Sequence, residues 1–124
     1  MKKVVIIGQS PAVHAAVSAL LERAPSVAIT LISTDGQLPY DRLLLPGLID
    51  RSVSETEVFC GRDGLYTSGR IEVVTGKEVS RVNFSRKRIF MAEKTHVDFD
   101  GLIIADVAGL RLPPMKGIRR QGVF

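Results

Sequence analysis

The chain has 124 residues, 45% of them apolar and 24% charged, with a formal net charge of +4. That size and balance describe one globular domain, 1–124, long enough to bury its own core, and exclude a disordered or fibrous chain. A single cysteine, Cys60, excludes an internal disulfide and a cysteine metal cluster, and fits a reducing, cytoplasmic setting.

The run Val4-Val5-Ile6-Ile7 is continuously apolar, so Lys3–Ile7 reads as a strand buried on both faces, as in a parallel sheet. Gly8 ends it in a turn. Ser10 can cap the helix that follows, and Pro11 suits the first helical position because its missing N–H has no partner there. Val13, Val17, Leu20, Leu21 and Ala24 recur at helical spacing and Pro25 stops the pattern, which predicts a helix from Pro11 to Ala24. A second buried strand follows at Val27–Ile32. Such a strand–helix–strand unit offers its first turn, at the helix N-terminus, to a dinucleotide pyrophosphate. The lysines and apolar start mimic a signal peptide, but the apolar run breaks at Gly8-Gln9-Ser10-Pro11. No segment approaches membrane-spanning length.

The loop Ser33 to Tyr40 carries Asp-Gly and Pro. An acid after the second strand would bind an adenosine ribose, and Asp35 is the candidate; it is equally a turn aspartate before glycine. Asp41 to Ile49 is apolar without clear period, a short helix or an irregular segment. Ser54-Glu55-Thr56-Glu57 reads as a capped helical turn. From Gly69 the pattern turns to short strands. Ile71–Val74 belongs with the parallel sheet, and about 78–99 forms an inserted three-stranded antiparallel meander, expected at one end or edge. Leu102–Ala105 is another doubly buried strand, and Leu112-Pro113-Pro114-Met115 cannot be helix. The fold class is therefore α/β.

Arg86-Lys87-Arg88 reads as a solvated hairpin tip, since a nucleic-acid surface would need more charge with aromatic rings set among it. Ser10, His14 and Ser18 share a helix face, but no acid is placed to orient the histidine as a base, and His14 reads as a surface residue. His96 and Cys60 lack metal-ligand spacing.

Taken in order, the glycine turn, Pro39-Tyr40-Asp41-Arg42, Gly69-Arg70-Ile71-Glu72 into Thr75-Gly76, Phe99-Asp100-Gly101 and Pro113-Pro114…Gly122-Val123-Phe124 resemble the FAD-binding domain of the pyridine nucleotide-disulfide oxidoreductase superfamily. The pattern is most similar to the flavin modules of nitrite reductase large subunits and rubredoxin reductases. The resemblance implies a Rossmann-like FAD/NAD(P)-binding fold. It implies that Gly8, Ser10, Pro11 and Ala12 face the FAD pyrophosphate and that Asp35 meets the ribose. Arg42 would lie along the cofactor, backbone near Val79 would border the adenine, and Ala105 and Asp106 would lie beside it. No catalytic residue and no metal are implied. NADH or NADPH would belong to a separate nicotinamide-binding domain that follows in the family, so the fragment alone would be catalytically incomplete. A homo-oligomer is a possible assembly; no nucleic-acid or membrane partner is expected.

Four positions depart from the family pattern. Ser10 and Val13 stand where Gly-x-Gly-x-x-Gly has its second and third glycines, and Asp106-Val107 stands where the family has Thr-Gly. The valine is expected to widen the turn. A carboxylate about 5 Å from a phosphate charge, at an effective dielectric of about 20, costs roughly 3 kcal/mol. The expectation is therefore a purified chain without stoichiometric FAD. The competing readings are a degenerate domain that keeps the fold as an interaction or scaffolding module, and an adenine-nucleotide sensor that uses only the Gly8 turn.

Overall fold

The computed structural model describes residues 2–33, 38–60, 66, 70–105, 116 and 121. The elements are β1 (Lys3–Ile7), α1 (Pro11–Arg23), β2 (Ala28–Ser33), a 3-10 turn (Arg42–Leu44), α2 (Leu45–Ile49), α3 (Glu55–Val58), β3 (Ile71–Thr75), β4 (Val79–Asn83), β5 (Arg88–Met91), β6 (His96–Asp98) and β7 (Gly101–Ile104). Among them, β3-β2-β1-β7 form a parallel sheet in that order, and β4-β5-β6 an antiparallel one. The α/β class and all four parallel strands are as the apolar runs imply, and Val4 and Ile71 share a sheet through Ile29. No helix among the described residues is long and apolar enough to cross a membrane.

Period-two alternation sorts the side chains of the central strands onto two cores. On one face Ile6, Ile29, Leu31 and Ile71 meet Val13 and Val17 of α1. On the other, Val5, Ile7 and Ile32 meet Ile89, Met91 and Phe99. Each such buried aliphatic side chain contributes about 2 kcal/mol.

The second core corrects one expectation. The meander does not sit at an end or edge of the parallel sheet: it lies against the face opposite α1. The reason is in β1 and β2, which are apolar on both faces. With α1 on one side, the inward row Val82, Ile89, Met91 and Val97 covers the other. Register at the last strand is set by Asp100, whose Oδ2 accepts the Lys3 N–H and whose own N–H donates to the Lys3 carbonyl, both at 2.7 Å.

Candidate functional site

The C-terminal ends of β1 and β7 meet the start of α1, and there the sheet order places β1 between strands distant in sequence. Gly8 has φ +140°, outside the range a side chain accepts readily. A Cβ on it would also lie 2.6 Å from the Ala105 carbonyl oxygen and 2.9 Å from Cγ2 of Val13. Val13 is fully buried in the layer between α1 and the sheet. The valine that the glycine pattern makes an obstruction is thus seated in the space Gly8 leaves, and α1 still closes on the turn. The Gly8 N–H donates to Ile32 and the Ala105 N–H to Ile7, at 3.0 and 2.9 Å, which ties β1 to both neighbours beyond their ladders.

Ser10 occupies the position preceding the helix in extended conformation, but its side chain does not cap α1. Its hydroxyl donates instead to the Ala105 carbonyl at 2.9 Å. That is a correction to the expected cap, and its cause is proximity: β7 ends beside the turn and brings a carbonyl within reach. The consequence is chemical. Pro11 has no N–H, and the Val13 N–H bonds back to the Ser10 carbonyl at 3.0 Å. The first turn of a 13-residue helix, with the Ala12 N–H, is thus not capped by Ser10, and an uncapped helix start is an arrangement that can receive an anion.

Gln9 was not singled out in the sequence. It is 9% exposed, its carbonyl accepts the Tyr40 N–H at 2.8 Å, and its Oε1 is buried without a hydrogen-bond partner among the described residues. An orphaned buried acceptor beside an uncapped helix start costs stability, by about 1–3 kcal/mol. Through Tyr40, Gln9 fixes the segment that carries Arg42. Tyr40 bridges Phe59, and the two rings meet edge-on at 6.2 Å. The Asp41 carboxylate accepts the Leu43 N–H at 3.0 Å and starts the 3-10 turn, on which Arg42 is exposed. Beside it lies a cleft of about 250 Å³ lined by Tyr40, Leu45, Leu48, Glu55, Val58 and Phe59.

The structure therefore brings together Gly8, Ser10, Pro11, Ala12 and Ala105, with Arg42 on the neighbouring segment. Val79 opens β4 just past the end of β3, and its side chain packs in the second core. Asp35 and Asp106 lie outside the described residues, as does Val107. His14 is half-buried rather than a plain surface residue: its Nδ1 is 2.8 Å from the hydroxyl of buried Tyr66. Ser10 and His14 thus bond elsewhere and do not form a nucleophile and base. No cluster of metal-ligating residues occurs among those described.

Comparison with known proteins places the chain in a family and agrees with the fold. The sequence model of the pyridine nucleotide-disulphide oxidoreductase family matches residues 2–124. Rhodocoxin reductase of Rhodococcus erythropolis is 31% identical over 121 residues, 97% of this chain and 28% of the relative. Among solved structures, NADH:rubredoxin oxidoreductase from Clostridium acetobutylicum superposes with TM-score 0.76 at 25% identity, over 91% of this chain and 30% of that one. A NAD-dependent persulfide reductase from A. fulgidus superposes with TM-score 0.82 at 26% identity, over 97% and 24%. The chain thus spans under a third of the length of these relatives.

Proposed function

The chain belongs to the pyridine nucleotide-disulphide oxidoreductase family, and from that premise we propose that it is the FAD-binding module of an NAD(P)H-dependent oxidoreductase, catalytically incomplete by itself. The observation that carries the reading is the α1 start. Its serine turns away to Ala105 and does not cap the helix, so the helix start is offered to a pyrophosphate rather than to its own side chain. Neither departure from the glycine pattern fills that space: Val13 is core and the Ser10 hydroxyl is engaged. The residues present fit the phosphate half of the cofactor.

In this reading Gly8 lets the turn close under the pyrophosphate, and Ser10 holds the turn against β7. Pro11 and Ala12 open the helix whose dipole faces the negative charge. Arg42, exposed on its 3-10 turn, adds a cation alongside, and Asp35 accepts from a ribose hydroxyl. Backbone at Val79 borders the adenine. When bound, the flavin would supply hydride acceptance and onward electron transfer. The hydride donor belongs to a nicotinamide-binding domain working with this module, in the cytoplasm. The family pattern would put Asp106 beside the phosphates, where a carboxylate would weaken binding.

The alternative, a domain that has lost flavin and serves as an interaction unit, rests on the same departures. The discriminating experiment is titration of the purified chain with FAD and, separately, with ADP. Saturable binding of both supports the cofactor reading. Binding of ADP alone supports an adenine-nucleotide site, and binding of neither supports the interaction module.

A further inference from the structure

The outer face of the antiparallel sheet carries an aromatic and cationic row. The ladder sets Arg81 opposite Phe90 and Phe90 opposite His96. The Arg81 guanidinium lies 4.4 Å from the Phe90 ring centroid, and the His96 ring is 6.4 Å from it. These residues face outward because Val82, Ile89 and Val97 take the inward places in the second core. At the turn joining β4 to β5, Phe84 is 69% exposed beside Arg86 and Lys87. That turn is built: the Asn83 side chain accepts the Arg86 N–H at 3.1 Å and Lys87 sits at φ +53°.

Charge on this sheet is unbalanced. Residues 77–99 hold six lysines and arginines against three acids. Glu93 is paired with Lys77 and Asp98 with Arg88, both at 2.7 Å. Arg81, Arg86 and Lys87 make no ion pair among the described residues. The sequence reading of a solvated hairpin tip holds for Arg86 and Lys87, whereas Arg88 opens β5, half-buried and paired with Asp98; the structure also sets rings among the cations.

We propose that this face docks an acidic protein segment, carboxylates meeting Arg81, Arg86 and Lys87 while an apolar side chain packs on Phe84. A large exposed ring flanked by unpaired arginine is the composition of an interface centre, and the surrounding charge selects an anionic partner. A nucleic acid suits the surface less well. The Phe90 ring is already covered by Arg81, which leaves Phe84 to stack, and so few cations release few counterions. The inference does not depend on the flavin reading.

The test is fluorescence anisotropy of a short labelled peptide of alternating glutamate and leucine titrated with the chain at low salt. Arg86→Glu with Lys87→Glu is expected to weaken binding at least about tenfold, and Phe84→Ser about fivefold. Arg23→Glu with Lys116→Glu, the same charge change elsewhere, is expected to stay within about twofold. All five side chains are on the surface, and the variants are checked for unchanged melting. Absence of peptide binding would overturn the proposal. So would equal weakening by the control pair, or tighter binding of an oligothymidylate of matching charge.

Discussion

Ser10 Oγ donates to the carbonyl oxygen of Ala105 at 2.9 Å, across 95 residues of sequence, and so does not cap the helix that it precedes. One hydroxyl ties the helix start to the end of β7 and leaves that start without its own cap. Ser10→Ala is expected to lower stability by about 1 kcal/mol, the net worth of one hydrogen bond, in a denaturant titration. Ser10→Asp, a better cap by type, should repel an anion at the turn and lower FAD affinity beyond any loss of stability.

Gly8 and Val13 form a second interlocked pair. Gly8→Ala would place a methyl against the Ala105 backbone and force a side chain into φ +140°. The expected loss is more than about 3 kcal/mol. Val13→Ala alone should cost about 2 kcal/mol by cavity formation. Combined with Gly8→Ala it should recover less than half of the glycine's loss, because the closer clash is with backbone. Chemical denaturation of the three variants measures this directly.

Acid should loosen the meander. The Arg88 guanidinium, hydrogen-bonded to Asp98 at 2.7 Å, holds that carboxyl below its ordinary value, against a smaller effect of desolvation. Lys77 does the same for Glu93. A carboxyl depressed in the folded state contributes stability that is present above the unfolded pKa, about 4, and is lost as pH falls through the folded value. Thermal melts from pH about 5 downward should therefore show a declining midpoint, with a shallower decline in Asp98→Asn. Both carboxyls are exposed, so added salt should shrink the effect.

How much of this was legible depended on the range over which each feature is decided. Strands β1 and β2 were readable because Val4–Ile7 is apolar at every position and Ala28–Ile32 at all but Thr30, as suits a strand covered on both faces. The apolar run Leu102–Ile104 located β7 but not its burial: it ends the described sheet half-buried, with Ile104 exposed, rather than doubly covered. The alternation in β5 and β6 showed which residues turn inward but not which surface they cover, and so the meander was misplaced. Ser10 obeyed its local preference only in the sequence; a carbonyl 95 residues away outcompeted the cap. His14 found Tyr66 at a separation of 52, and no local pattern announces such a partner. Gln9 carried no signal beyond its place in the turn.

Apolar exposure near the site leads to an assembly prediction. Leu43 is 88% exposed, Ile49 85% and Ile104 61%. Their accumulation beside the turn and along an edge strand favours self-association. Light scattering should show a concentration-dependent rise in mass. Leu43→Glu with Ile49→Glu should suppress it, and a mass independent of concentration in the unmodified chain would refute the prediction.

The flavin reading turns on a calorimetric titration of FAD into the chain and into Asp106→Thr with Val107→Gly. The account predicts a colourless protein as purified that binds one FAD saturably, with a dissociation constant above about 1 μM, and at least about tenfold tighter binding once the carboxylate is removed. Heats that never saturate, in both the chain and the substituted form, would contradict it.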